Sequence, residues 1–129
     1  MKSENVGKMS GMAALVERVK KHPDYRKAGM ILCHNGVVRE TSSDGKTPVA
    51  GLVVTVDHEK LRQVIEKHRQ MPGIIEVLAE IAENRRLDVG DDIMFLVVAG
   101  DVRANVFDAM RSLLDEVKAT VTAKKEEPA

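Results

Sequence analysis

Aromatic side chains are nearly missing from this chain: two Phe, one Tyr and no Trp among 129 residues. The core must therefore be aliphatic, and stacking-based recognition of single-stranded nucleic acid lacks its usual platform. Cysteine occurs once, as Cys33, which excludes an intrachain disulfide. Neither charge sign is in excess, with 20 basic and 20 acidic residues, so nothing global draws the protein to DNA or to an anionic membrane. The longest strongly apolar run, Ile93 to Ala99, falls far short of the roughly 20 residues of a membrane helix. The opening stretch MKSENVGKMSGMAALVERVKKHP has no apolar segment followed by a cleavage site, unlike a secretory signal. These absences imply a soluble protein in a reducing, cytoplasmic setting, whose anion sites must be local. There is also no GxGxxG, no P-loop and no CxxC, and His22, His34, His58 and His68 lack metal-ligand spacing.

What is present is enough apolar matter, 43% of residues, for one domain with a core of its own. Met12, Leu15, Val16 and Val19 recur at helical spacing, with Ser10 as a cap and Pro23 as a stop. AGMILCHNGVVRE reads as a strand in which Gly36 marks a bulge or a close backbone approach. Cys33 within it reads as a small buried hydrophobe. TSSDGKTP is a polar loop, and VAGLVVTV a second strand. Asp57 caps a helix running to about residue 70. IIEVLAEIA suits a strand by its Ile and Val and a helix by its Glu and Ala, and the alternation of its neighbours favours the strand; LDVGDD reads as a turn and IMFLVVAG as a buried strand. Asp101 then caps a last helix whose apolar stripe runs from Val102 to Val121, followed by a frayed AKKEEPA tail. The order α-β-β-α-β-β-α implies an α/β sandwich of sheet and helices.

Charge singles out a few positions. On a continuous last helix, Arg111, Lys118 and Lys125 would lie two turns apart on nearly one line. One reading is a solvated face, with Arg111 paired to Asp108 or Asp115 and Lys118 to Asp115. The other is a cationic groove for an anionic substrate, with a lysine available for catalysis. Arg103 occupies the first turn of that helix, where a cation is unfavourable for the helix itself and an anionic partner would be welcome. Arg39 ends the first strand, and alternation assigns it to the face of Ile31, Cys33, Asn35 and Val37.

Taken in order, GMILCHNGVVRE, VAGLVVTV and LDVGDDIMFLVVAGDVRANVFDAMRSLLDEVKATVTAKKE resemble the large, catalytic subunit of molybdopterin synthase, the MoaE family. The resemblance covers roughly residues 28–126 and is carried best by Leu87, Gly90, Asp91, Arg103, Phe107 and Ala109. It divides the chain into a helical extension at 1–27, a MoaE-like domain at 28–126 and a frayed tail at 127–129. It implies a hammerhead-type, two-layer α+β sandwich of mostly antiparallel sheet with packed helices. It implies a homodimer that binds a small ubiquitin-like (MoaD-like) sulfur carrier at each end, giving a heterotetramer. The carrier's thiocarboxylate would pass sulfur to a cyclic pyranopterin monophosphate in molybdenum-cofactor biosynthesis, a sulfurtransferase reaction. No metal or organic cofactor is implied, because the reactive sulfur arrives on the carrier. By the same resemblance Lys118 and Lys125 are the catalytic lysines, with Lys118 central, and Arg39 and Arg103 bind substrate. The chain departs from the family at Val102, where a histidine is usual, at AENR (residues 82–85) and at VTAK, which lacks the usual Pro-aromatic-Trp lead. The competing reading is a MoaE-like protein that binds the carrier or a pterin-like anion without transferring sulfur.

Overall fold

The computed structural model describes residues 9–129; the start of the expected N-terminal extension, residues 1–8, lies outside them. At the centre is β5, Asp92–Gly100, in which Leu96, Val97, Val98 and Ala99 are all completely buried. It pairs antiparallel with β1, Met30–Val37, on one side and with β3, Ile74–Ile81, on the other. Both faces of this sheet are covered, which is why IMFLVVAG is apolar throughout. Alternation sends Met94, Leu96 and Val98 to one face, where they meet α2 (His58–Arg69) and α3 (Arg103–Glu116) through Val64, Val106, Ala109, Met110 and Leu113. Phe95, Val97 and Ala99 point the other way and meet Leu15 and Val19 of α1, Met12–Lys20. Each of those two fully buried side chains contributes about 1.5–3 kcal/mol, an upper estimate, to holding α1 on the sheet.

A second, smaller sheet has β2, Val49–Val56, at its centre, flanked by β4, Arg86–Asp88, and β6, Thr122–Pro128. Val38, Leu52, Val54, Ala82 and Leu87 form its core. All strand pairs in both sheets are antiparallel, so the expected α+β sandwich with packed helices is the observed class.

The helix starts differ in how they are capped. Asp57 caps α2 as expected, its Oδ1 accepting from the Lys60 amide at 3.0 Å. The Ser10 side chain does not cap α1. Instead Glu80 of β3 accepts from the Ser10 and Gly11 amides, both at 3.2 Å, and from the Ser10 hydroxyl. The cap is thus tertiary, supplied 69 residues away. At α3 the N-cap position falls to Val102, and Asp101 stands one residue earlier, accepting from the Val102 amide at 2.6 Å and the Asn105 amide nitrogen at 2.9 Å.

Four expectations are corrected. The last helix does not run to Val121: α3 stops at Glu116, and a five-residue π turn, Val117–Val121, leads into β6. The expected frayed tail at 127–129 is accordingly in large part strand. Residues 122–128 satisfy the otherwise open edge of β2 in a ladder from Val49↔Pro128 to Val56↔Thr122. LDVGDD is not all turn: its first two residues complete the three-residue strand β4, because Leu87 is buried opposite Leu52. Cys33 is exposed on the outer side of edge strand β1 and is not a core residue.

Candidate active site between the two sheets

A cavity of about 670 Å³ opens where the two sheets meet. Its floor is apolar: Leu52 and Val54 from β2, Ile93 and Met94 from β5. His34 and Gly36 enter from β1, Thr41 and Ser43 from the loop beyond it, and Thr122, Lys124 and Glu126 from β6. Three cations, Arg39, Lys118 and Lys124, line this space together with one carboxylate, Glu126. The local excess of positive charge stands in a chain whose formal charge is zero.

Arg39 lies just beyond β1, where the register with β5 skips Ile93 between Gly36↔Met94 and Val37↔Asp92. This break, expected at Gly36, is where the chain leaves the larger sheet and buries Val38 in the smaller one. Strand alternation therefore does not govern Arg39. It shares the cavity wall with His34 and Gly36 as well as Val37, not simply the Ile31–Cys33–Asn35 face expected for it. Its Nε donates to the Thr41 carbonyl at 3.1 Å and its Nη2 to the Ser42 carbonyl at 2.8 Å. The guanidinium thus holds the loop and keeps its remaining donors for a ligand.

Lys118 sits on the π turn and lines the cavity. The expected ion pair with Asp115 does not form, nor does either expected pair of Arg111; among the described residues Lys118 has no carboxylate partner. A buried turn residue on each side, Val117 and Val121, fixes its backbone.

Lys125 is not part of the cavity wall; Lys124 is. The reason is the change from helix to strand. On β6, Lys124 stands opposite Val54 and Glu126 opposite Leu52, both floor residues, while Lys125 stands opposite Val53 on the other face. Lys124 Nζ lies 3.5 Å from Glu126 Oε2, and Glu126 Oε1 accepts from the Ser42 hydroxyl at 2.8 Å, which ties the loop to β6.

Arg103 is also outside the cavity, at the first position of α3. Met94 and Gly100 of β5, six residue steps apart, separate the two places by about 20 Å at a strand's rise. Of the four residues singled out by sequence, Arg39 and Lys118 come together and Lys125 and Arg103 do not. Lys124, Glu126 and His34 were missed. The signals for them were the Lys-Lys pair itself, read with a strand's period of two, and the i, i+2 spacing of His34 and Gly36 on one strand face.

Comparison with known proteins is consistent with this geometry. The family model for MoaE protein matches residues 8–120. Comparison with curated proteins yields no match. Among solved structures, a molybdopterin biosynthesis MoaE protein from Burkholderia ambifaria is 20% identical, with a TM-score of 0.70, over 92% of this chain and 80% of that one. Molybdopterin synthase from Staphylococcus aureus is 20% identical, with a TM-score of 0.67, over 80% and 77%. A complex of subunits 1 and 2 of molybdopterin-converting factor from Helicobacter pylori is 14% identical, with a TM-score of 0.66, over 88% and 76%. At these identities the structures show a shared fold.

Proposed function

The chain belongs to the MoaE family, and from that premise we propose that it is the catalytic subunit of a molybdopterin synthase. Family membership gives it a sulfurtransferase-type role in molybdenum-cofactor biosynthesis. The finer reading is that it takes sulfur from the thiocarboxylated end of a small ubiquitin-like carrier and delivers it to a cyclic pyranopterin monophosphate. It would work as a homodimer with a carrier at each end. The observation that carries this is the convergence of Arg39, Lys118 and Lys124 on one apolar-floored cavity.

The chemistry follows from those side chains. Both reactants are anions, and an apolar floor strengthens each charge interaction above it. Lys118, free of any carboxylate among the described residues, is the ammonium available to face the thiocarboxylate and the negative charge that develops as sulfur leaves it. Arg39 offers planar donors suited to phosphate, and Lys124 adds a point charge beside it. Glu126 holds the Ser42 hydroxyl and keeps the wall of β6 against the loop. Lys125 and Arg103 do not line this cavity.

The test is reconstitution. The protein is mixed with thiocarboxylated carrier and the pyranopterin precursor, and dithiolene formation is followed. Formation that falls by two or more orders of magnitude in Lys118→Ala, about 3 kcal/mol or more of transition-state stabilisation, is the expected result. Carrier binding without any product would sink the sulfur-transfer reading.

A further inference from the structure

We propose that His34 is the proton acceptor of this cavity, its Nε2 taking a proton from the water that cuts the acyl–sulfur bond to the carrier. This rests on the sulfur-transfer reading. Once a thiocarboxylate sulfur has bonded to a substrate carbon, that sulfur and the carrier's terminal carbonyl constitute a thioester. Releasing the carrier requires water to attack the carbonyl carbon. A C–O bond forms, the C–S bond breaks, and the electron pair of that bond stays on sulfur as a substrate thiolate. The carrier leaves as a carboxylate. Two protons are shed: one goes to His34 as the C–O bond forms, the other to solvent from the new carboxyl group.

Four observations lead to His34. First, its Nε2 is buried and has no hydrogen-bond partner, and it is the one such side-chain nitrogen or oxygen among the described residues. An unsatisfied buried polar atom costs about 1–3 kcal/mol, so an arrangement that retains one points to a partner that arrives with the ligand. Second, the ring lines the cavity beside Gly36, where a Cβ would lie 3.4 Å from Nε2 and 3.4 Å from Met94 Cγ. With glycine at this position no side chain is packed against that nitrogen from its strand neighbour. Third, burial and then the charge of Lys118 lower the His34 pKa below its ordinary value of 6.5, so at neutral pH the ring is uncharged and basic.

Fourth, the cavity holds no other free base. The charged groups facing His34 are Lys118 from the π turn, Arg39 from the loop after β1, and Lys124 and Glu126 from β6. Three of these are protonated cations, and Glu126 is engaged by Ser42 and Lys124. In a site that must shed protons among cations, a neutral imidazole is the group able to take one. Lys118 then faces the thiolate left behind.

The experiment compares wild type with His34→Gln and His34→Phe in the reconstituted system with thiocarboxylated carrier and pyranopterin precursor, from pH 5 to 8. In the wild type, dithiolene formation falls as pH drops below the His34 pKa, because the ring becomes protonated. Both variants are expected to lose about 10²-fold in kcat with KM little changed, to lose that acid limb, and to accumulate a covalent carrier–substrate adduct visible by intact mass. A merely structural role would not move the limb or build up the adduct. If His34→Phe fails to fold, His34→Gln decides. Retention by His34→Gln of both the rate and the acid limb overturns the proposal, as does an imidazole that titrates above pH 6.5 by NMR. A wild type that makes no dithiolene defeats the sulfur-transfer reading before any substitution is compared, and the role of His34 with it.

Discussion

Lys124 and Lys125 are adjacent, identical and both exposed, yet they are not equivalent. On β6 the face of each is set by its cross-strand neighbour, Val54 for Lys124 and Val53 for Lys125. Only Val54 belongs to the cavity floor. Lys124→Ala is therefore expected to lower kcat/KM about 10–100-fold, the worth of one charge-assisted contact to an anion. Lys125→Ala should stay within about twofold of wild type in the same dithiolene assay. That a lysine would be found here was legible in the sequence. Which lysine lines the cavity was not, because the assignment depended on the period of the segment, and a helical period selects the other member of the pair. Arg39 was legible as a residue but not by its face, since it lies past the end of its strand.

At the level of elements, what could be read from sequence was what local chemistry determines. The elements α2, β5 and α3 followed from apolar pattern, β3 from its place between them, and Asp57 was recognisable as a cap because its partner is three residues away. The β6 strand was not recognisable. TAKKEEP has weak strand propensity, and it is extended because β2 offers it a ladder. The cap of α1 was equally hidden, since Glu80 reaches it from another strand. Gly73 shows the same dependence on distant neighbours. Its φ is +74°, its carbonyl accepts from the Asp101 amide at 2.9 Å, and a Cβ there would overlap the Asp101 carboxylate and the Asn105 amide. Gly73→Ala should therefore destabilise the protein by about 2 kcal/mol or more and lower Tm by roughly 5–10 °C, measured by thermal unfolding. Dithiolene formation at 20 °C should be nearly unchanged, because Gly73 adjoins Asp101 at the end of β5 remote from the cavity.

Over the whole molecule, the fold class and the family were within reach of the sequence, and the composition of the cavity was not. Leu87, Gly90, Asp91, Arg103, Phe107 and Ala109 carry the family resemblance, yet none of them lines the cavity. The cavity walls belong to two different sheets, and the wall of Thr122, Lys124 and Glu126 is in place only when β6 docks on β2. The Ser42–Glu126 hydrogen bond across its mouth spans 84 residues of sequence. Contacts of that separation are slow to form, because the entropy of closing the intervening loop comes before their reward. Helices α2 and α3 and the β3–β5 pair rest on nearer neighbours and can assemble without it. In refolding from denaturant, far-UV circular dichroism should then recover ahead of sulfur-transfer activity, and Glu126→Ala should widen the interval between them. The completed cavity is then the last feature that the folding chain acquires, and a partly folded protein would hold its helices and central sheet without the pocket that brings Arg39, Lys118 and Lys124 together.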